Sequence, residues 1–424
     1  MIETQPHKIQ ERALLIGLEQ EGVSKWDLRD SMAELRELAN SAGAEVVDTV
    51  TQKLQKPTAP YYIGKGKAEL IRDSIPGQRV TSVIFDDELS PAQGRNLENL
   101  LSRKVLDRTQ LILDIFAQRA RSREGRLQIE LAQLHYLLPR LTRMWHHLSR
   151  QTGGIGTRGP GETQLEVDRR RVQERIGRLE RDLEAVRKTR AVQRQGRKRH
   201  QWPVAAVVGY TNAGKSTLLN LLTGADVVAA DKLFATLDPT TRSLTLPNKQ
   251  RLLLTDTVGF LRKLPHTLIE SFKATLEEVH EADLLIHVVD LSHPRVDEQM
   301  EAVANVVKEL DAYGKQTVIV FNKIDNLPDR DLVEAYLHRF PGSVAISART
   351  GEGVADLVRT LEDALASWRL RSRLRIPANE SALLAEIHRV GHVLELAYDG
   401  NDAVVVAHLP PQLEQRLARY SEKN

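Results

Sequence analysis

Gly209-Tyr-Thr-Asn-Ala-Gly-Lys-Ser216 brackets four residues between two glycines and follows them with a lysine and a hydroxyl. A loop of that spacing, between an apolar strand and a helix, presents its backbone N–H groups to phosphate oxygens. The flanks agree: Val204–Val208 reads as a buried strand and Thr217–Leu222 as a helical run. Gly209, Tyr210, Thr211, Asn212, Ala213, Gly214, Lys215, Ser216 and Thr217 are therefore candidates to hold a nucleotide's phosphates. Lys215 would place its charge at the β- and γ-phosphates, and the Ser216 hydroxyl would bind Mg2+.

Three further stretches extend the site. Asp256-Thr257-Val258-Gly259 follows the strand Arg251–Thr255, so the aspartate can hold magnesium through water and the Gly259 N–H can sense a γ-phosphate. Asn322-Lys323-Ile324-Asp325 ends the strand Thr317–Phe321. A carboxylate there accepts from the N1–H and exocyclic amine of guanine, a donor pair that adenine lacks, so the site rejects ATP. Ser347-Ala348-Arg349 ends the next strand, and a backbone amide there can donate to the guanine carbonyl. Each short motif is weak alone, and their order at successive strand ends makes the set specific for GTP and GDP.

These residues need a sheet to carry them. Val204–Val208, Arg242–Leu246, Arg251–Thr255, Leu284–Asp290, Thr317–Phe321 and Val344–Ser347 read as its strands, and the short Leu246–Arg251 connection makes one strand antiparallel. Upstream, strands at Ala13–Leu18, Glu45–Val50, Val80–Phe85 and Lys104–Leu106 alternate with helices at Asp27–Asn40, Lys65–Ile75 and Pro91–Leu101. That alternation predicts a small parallel α/β domain. Between the two, Leu127, Leu131, Leu134, Leu138, Leu141, Trp145 and Leu148 form one heptad seam, and Val172, Ile176, Leu179, Leu183 and Val186 a second. The Gly/Pro-rich break Gly153–Gly161 predicts an antiparallel hairpin, with Pro139 kinking its first helix; a dimerising coiled coil is the other reading. After Arg375-Ile-Pro377 the chain restarts as a small tail, with a strand at Val404–Ala407 and a helix after Pro410-Pro411.

The fold class expected is α/β multidomain. Residues 1–115 are read as an N-terminal parallel α/β domain and 116–200 as the helical hairpin with its Gly-rich tip. Residues 201–370 are read as a Ras-like P-loop GTPase domain and 371–424 as a small C-terminal α+β unit.

Arg187, Lys188, Arg190, Arg194, Arg197, Lys198 and Arg199 crowd one segment with no acidic residue among them, and Arg169, Arg170 and Arg171 cluster near Arg158 in the Gly-rich loop. Arginines around a flexible loop suit an irregular RNA backbone; a solvated helix face paired with local carboxylates is the competing reading. Gly64-Lys-Gly-Lys67 opens a helical run but lacks the spacing of a second phosphate loop, so a turn with exposed lysines is expected. His135, His146 and His147 have no carboxylates at a metal spacing, and no metal beyond magnesium is expected.

The chain resembles the HflX family of ribosome-associated GTPases, within the translation-factor-related class. The resemblance rests on Gly209–Thr217, on Phe234-Ala235-Thr236-Leu237-Asp238 continuing to Arg242, on the linker Gly153–Arg170 with Gly-Pro-Gly-Glu-Thr-Gln, and on Tyr61-Tyr-Ile-Gly-Lys-Gly-Lys67. It implies that Thr236 is the switch threonine that reaches magnesium, with Thr240 and Thr241 as alternatives, and that Phe234, Ala235, Leu237 and Asp238 line the nucleotide. It also implies a partner in the large ribosomal subunit and its rRNA, and a role in splitting or rescuing stalled ribosomes under stress. An ATP-dependent RNA remodeller with a regulatory GTPase domain is the alternative, and a non-hydrolysing coiled-coil adaptor is a third reading. Where Ras-type enzymes place glutamine after the Asp-x-x-Gly glycine, this chain has Phe260, which cannot orient water. Some GTPases with that feature carry an asparagine at the Asn212 position that helps hold K+, so the resemblance allows K+-stimulated turnover, a plain loop-structuring asparagine being the other reading. The catalytic set is Lys215, Thr236, Gly259 and Asn212.

Composition bounds the rest. A chain of 424 residues exceeds one core and suggests about two to four domains. No segment approaches the roughly 20 apolar residues of a membrane span, and the N-terminus lacks a signal-peptide pattern, so a cytosolic monomer is expected, peripheral membrane contact remaining open. There are no cysteines, which removes disulfides and thiolate metal sites, and the net charge is +3. DNA is not an expected partner.

Overall fold

The computed structural model describes residues 11–22, 25–141, 164–199, 202–224, 233–234, 236–248, 250–263, 278–366 and 370–422. The chain divides into two compact units. The first comprises Met1–Ala185 with Asp231–Leu237 and Lys263–Phe272, and the second holds the remainder.

The first unit is built on a four-stranded parallel sheet, in the order β2 (Glu45–Lys53), β1 (Arg12–Glu19), β3 (Ser82–Phe85), β4 (Lys104–Asp107). Ala13–Leu18 is buried at every position, as a central strand covered on both faces must be. The crossovers are α1 (Lys25–Ser41), α2 (Lys65–Gln78) and α3 (Pro91–Leu101). Ser90 and Gln93 close a capping box at the start of α3. The Asp107 carboxylate accepts from the Gln110 N–H and starts α4 (Arg108–Arg119).

The carboxyl ends of β3 and β4 hold a buried ionic cluster. Arg108, only 2% exposed, pairs with Asp86 at 2.9 Å and with Glu34. The Ser31 hydroxyl donates to Asp86 at 2.6 Å, and the Tyr62 phenol donates to Asp87. Lys263, from a distant stretch of the sequence, places its ammonium 2.7 Å from both Asp86 and Asp87. Phe234, from the other distant stretch, packs edge-on against Phe116 of α4 with ring centroids 4.5 Å apart. Tyr62 and Ile63 are core residues; Gly64 is the N-cap of α2 and Lys65–Lys67 form its first turn, with Lys65 exposed beside Glu69, so the stretch is a helix start and not the expected turn.

The helical region departs from the sequence expectation at Pro139. Rather than kinking and running on, α5 (Arg123–Leu137) ends and a 3-10 turn, Leu138–Arg140, takes over. Proline lacks the N–H that the next α turn would need. The end of the first seam, from Thr142 on, and the Gly-rich tip lie outside the described residues. The second seam is one long helix, α6 (Gln164–Arg199), with Ile176, Leu179 and Leu183 buried. Its Arg175 makes a forked bond to Glu130 of α5, at 2.7 and 2.9 Å.

In the second unit, a six-stranded sheet runs in the order β10, β9, β8, β5, β7, β6. These are β5 (Val204–Gly209), β6 (Thr240–Thr245), β7 (Arg251–Asp256), β8 (Leu284–Asp290), β9 (Thr317–Asn322) and β10 (Val344–Ala345). Only the β6–β7 pair is antiparallel, as the short connection predicted. Helices α7 (Lys215–Thr223), α8 (Val296–Glu309), α9 (Asp331–Arg339) and α10 (Val354–Ala366) belong to this fold. The tail is larger than its sequence suggested. Its sheet places β13 (Asp402–Leu409) between β11 (Leu370–Pro377) and β12 (His392–Asp399), with α11 (Ser381–Val390) and α12 (Pro411–Leu417). The strand β11 begins before the Arg375–Pro377 restart, because Leu370-Arg-Ser-Arg-Leu-Arg-Ile-Pro377 alternates apolar and charged residues as a half-buried strand does. Among the described residues no helix is long and apolar enough to cross a membrane.

Candidate active site

The loop after β5 bends sharply because its glycines allow it. Gly209 sits at φ 155°, and a Cβ there would stand 2.2 Å from the Val288 carbonyl of β8. Gly214 takes φ 97°, where a Cβ would meet the Asn322 amide at 2.2 Å. The chain thus reaches the first turn of α7 with Lys215 folded back inside its own loop. The buried ammonium donates to the carbonyls of Gly209 at 3.1 Å and Tyr210 at 2.7 Å. Burial pulls the Lys215 pKa down to about 8; the nearby Asp256 carboxylate opposes the shift, and the Lys323 charge adds to it.

The Ser216 hydroxyl donates to Asp256 Oδ2 at 2.7 Å. Asp256 is fully buried at the end of β7, so two hard oxygen donors meet beside the phosphate loop, and that donor set fits Mg2+. Thr257 is fixed by donating to the Val207 carbonyl at 2.7 Å, and Val258 is buried. Beyond Gly259 the backbone pairs with the phosphate loop. The Thr211 N–H donates to the Phe260 carbonyl at 2.7 Å and the Phe260 N–H to the Gly209 carbonyl at 3.2 Å. The Arg262 N–H donates to the Tyr210 hydroxyl at 2.8 Å. The ring of Phe260 is buried, so this position offers main-chain groups and no polar side chain. Asn212 is exposed at φ 60°, and Ala213 is buried.

Asn322 ties the phosphate loop to the base-side loop. Its amide donates to the Ala213 carbonyl at 2.8 Å, and its oxygen accepts from the Ala348 N–H at 2.9 Å. Lys323, at φ 66°, reaches Asp290 at 2.6 Å, while Ile324 is buried. The Asp325 carboxylate accepts from the Ser347 hydroxyl at 2.7 Å and is paired with Arg349. The second unit therefore brings together Gly209–Ser216, Asp256–Gly259, Asn322–Asp325 and Ser347–Arg349. Thr217 is half-buried on α7, and Asp238 lies just before β6. Phe234, Thr236 and Leu237 fall in the first unit, and Ala235 is outside the described residues.

Sequence reasoning passed over Asp290, whose signal was an acidic residue closing the apolar strand Leu284–Val289. It also passed over His287 on the same strand, which is held neutral: burial lowers its pKa to about 4 and Lys215 adds to the shift. Of the basic residues, Arg169, Arg170, Arg171, Arg187 and Lys188 are exposed on α6, Arg170 lying 4.0 Å from Glu174. Arg190, Arg194, Arg197, Lys198 and Arg199 lie on the same helix with side chains outside the described set, as is all of Arg158.

The family model described as GTP-binding GTPase N-terminal matches residues 29–117, and GTP-binding GTPase Middle Region matches residues 119–197. A third, described as 50S ribosome-binding GTPase, matches residues 204–323. GTPase HflX of Lacrimispora saccharolytica is 48% identical over 415 residues, 97% of this chain and 96% of that protein. GTPase HflX of Escherichia coli K12 is 47% identical over 365 residues, covering 86% of this chain and 85% of its own. A solved structure of SsGBP with GDP covers 84% of this chain and 98% of its own at 26% identity, with a TM-score of 0.49. With sequence identity this high across nearly the full length of its relatives, and a lysine folded into its loop as phosphate binding demands, the chain belongs to the HflX family of GTPases and hydrolyses GTP.

Proposed function

We propose that GTP turnover in this chain operates a switch on the large ribosomal subunit, which splits or rescues ribosomes stalled under stress, in the cytosol. The observation that carries this reading is the match of residues 204–323 to a family described as 50S ribosome-binding GTPase. The exposed basic residues Arg169–Arg171, Arg187 and Lys188 on α6 support an rRNA face.

In this reading Lys215 and the loop amides hold the β- and γ-phosphates, and Asp325 with the Ser347–Arg349 turn reads guanine. Ser216 and Asp256 would hold Mg2+, which when bound offsets charge on the phosphate oxygens. Thr236 is the proposed switch threonine. Phe260 brings no side-chain donor for the attacking water, so positive charge or positioning groups must be added from outside the side chains of this loop. We propose two sources: a K+ ion reached by the exposed Asn212, and the ribosome itself.

Turnover measured in potassium and in sodium buffer, each with and without purified large subunits, tests both. Stimulation by subunits is expected, greater in potassium, and lost for GTP in Asp325→Asn. Unchanged turnover on adding subunits would overturn the ribosomal reading, and equal rates in the two salts would overturn the K+ reading.

A further inference from the structure

Asp325 is the group that must recognise guanine, yet in this structure its carboxylate is not waiting open. It is 11% exposed, accepts from Ser347, and is paired with the guanidinium of Arg349, whose side chain is itself 72% exposed. The chemistry of that partner is informative. Guanine presents to a carboxylate an N1–H and a C2 amine joined through one carbon, which is a guanidine fragment. Arginine presents the same fragment with a full positive charge. Arg349 therefore satisfies the carboxylate with the donor pattern of the base, in a loop two residues from Ser347.

We propose that Arg349 is a specificity-determining placeholder: its guanidinium pairs with the Asp325 carboxylate until a base arrives, and guanine enters by displacing it. A partly buried carboxylate left alone would carry an uncompensated desolvation cost, and it could accept other donors. The placeholder removes that cost and admits only a base that offers an equivalent donor pair. Because Arg349 is anchored at one end only and is mostly exposed, leaving costs it little. The proposal rests on the reading of Asp325 as the guanine-recognising residue.

Association of fluorescent GDP, followed by stopped flow on the full chain, separates this from the alternatives. A cation near an anionic ligand ordinarily speeds association through steering, so deleting it for that reason alone would slow binding. The placeholder predicts the opposite sign. Arg349→Ala should raise the association rate roughly three- to fivefold, the scale of one exposed ion pair, with the dissociation rate little changed. A slower or unchanged association rate, or a faster dissociation rate alone, would overturn it and make Arg349 a steering or base-covering residue.

A second background keeps the two readings apart. In Asp325→Asn the side-chain amide can donate to the C2 carbonyl of xanthine, so preference should move from GDP to xanthosine diphosphate. If it does not, the assignment of Asp325 to the base is wrong. If it does, adding Arg349→Ala to Asp325→Asn should leave xanthosine diphosphate association unchanged, because Arg349 has lost its charged partner. An equal acceleration in both backgrounds would overturn the placeholder while leaving the guanine site intact.

Discussion

Lys215 carries its charge at a cost that the protein does not refund until phosphate arrives. Burial lowers its pKa to about 8 in the described state, so a growing fraction is neutral as pH rises past that value. Phosphate anions favour the ammonium and would raise the pKa in the complex, so nucleotide binding must take up a proton between the two values. The sign follows: affinity for GDP is full below pH 8 and falls as pH rises above it, by up to about tenfold per unit. Titration calorimetry at pH 8.5 in two buffers of different ionisation enthalpy should report proton uptake; no uptake would show that Lys215 is already fully charged in the free protein. This residue, like Ser216, Asp256 and Asp325, was legible in the sequence because motif spacing encodes its neighbours. The contacts that fix the surrounding loops were not. The pairs Lys323–Asp290 and Tyr210–Arg262 join residues 33 and 52 positions apart, and only the folded sheet brings them together.

Strands and helices were legible to the degree that their burial was one-sided or complete. β1 and β8, buried along nearly all their length, announced themselves as apolar runs, and the antiparallel β6–β7 pair followed from a short connection. β12 was missed because it is an exposed edge strand with little apolar periodicity, and β11 because Arg371, Arg373 and Arg375 separate its apolar positions and the tail was taken to start after Pro377. The carboxyl ends of β3 and β4 show what propensity cannot reveal. There Arg108 sits at 2% exposure between Asp86 and Glu34, and no local pattern marks an arginine as buried. Truncating it would take the guanidinium from Glu34 and leave buried Asp86 with Lys263 and Ser31. Arg108→Ala should therefore destabilise the first unit by about 3–5 kcal/mol, read by urea denaturation. A loss under about 1 kcal/mol would mean that the carboxylates simply take up protons and that the cluster contributes little.

At the scale of the molecule, the phosphate and base loops Gly209–Ser216, Asp256–Gly259, Asn322–Asp325 and Ser347–Arg349 belong to one unit, while Phe234, Thr236 and Leu237 belong to the other. Residues 231–237 lead into the β6–β7 hairpin and residues 263–272 continue the stretch that begins at Asp256, yet both cluster with the N-terminal α/β fold. Phe234 on Phe116, and Lys263 between Asp86 and Asp87, are the contacts that join them to it. A fragment covering only residues 1–185 would lack both. It should show a lower urea midpoint than the same unit in the full chain and faster cleavage by protease near Phe116, whereas equal stability would show that the two contacts are idle. No motif predicted this arrangement, since it depends on which surfaces meet and not on spacing along the chain.

The same discontinuity sets an order of events during synthesis. A protein made from its N-terminus ordinarily finishes its first domain before the next emerges. Here the first unit is missing two of its pieces until the ribosome has translated past Phe272, well into the GTPase. Through that interval Phe116 and the Asp86–Asp87 pair have no partner from those later segments. The nascent chain must carry an unfinished surface until the nucleotide-binding part of its own sequence arrives to complete it.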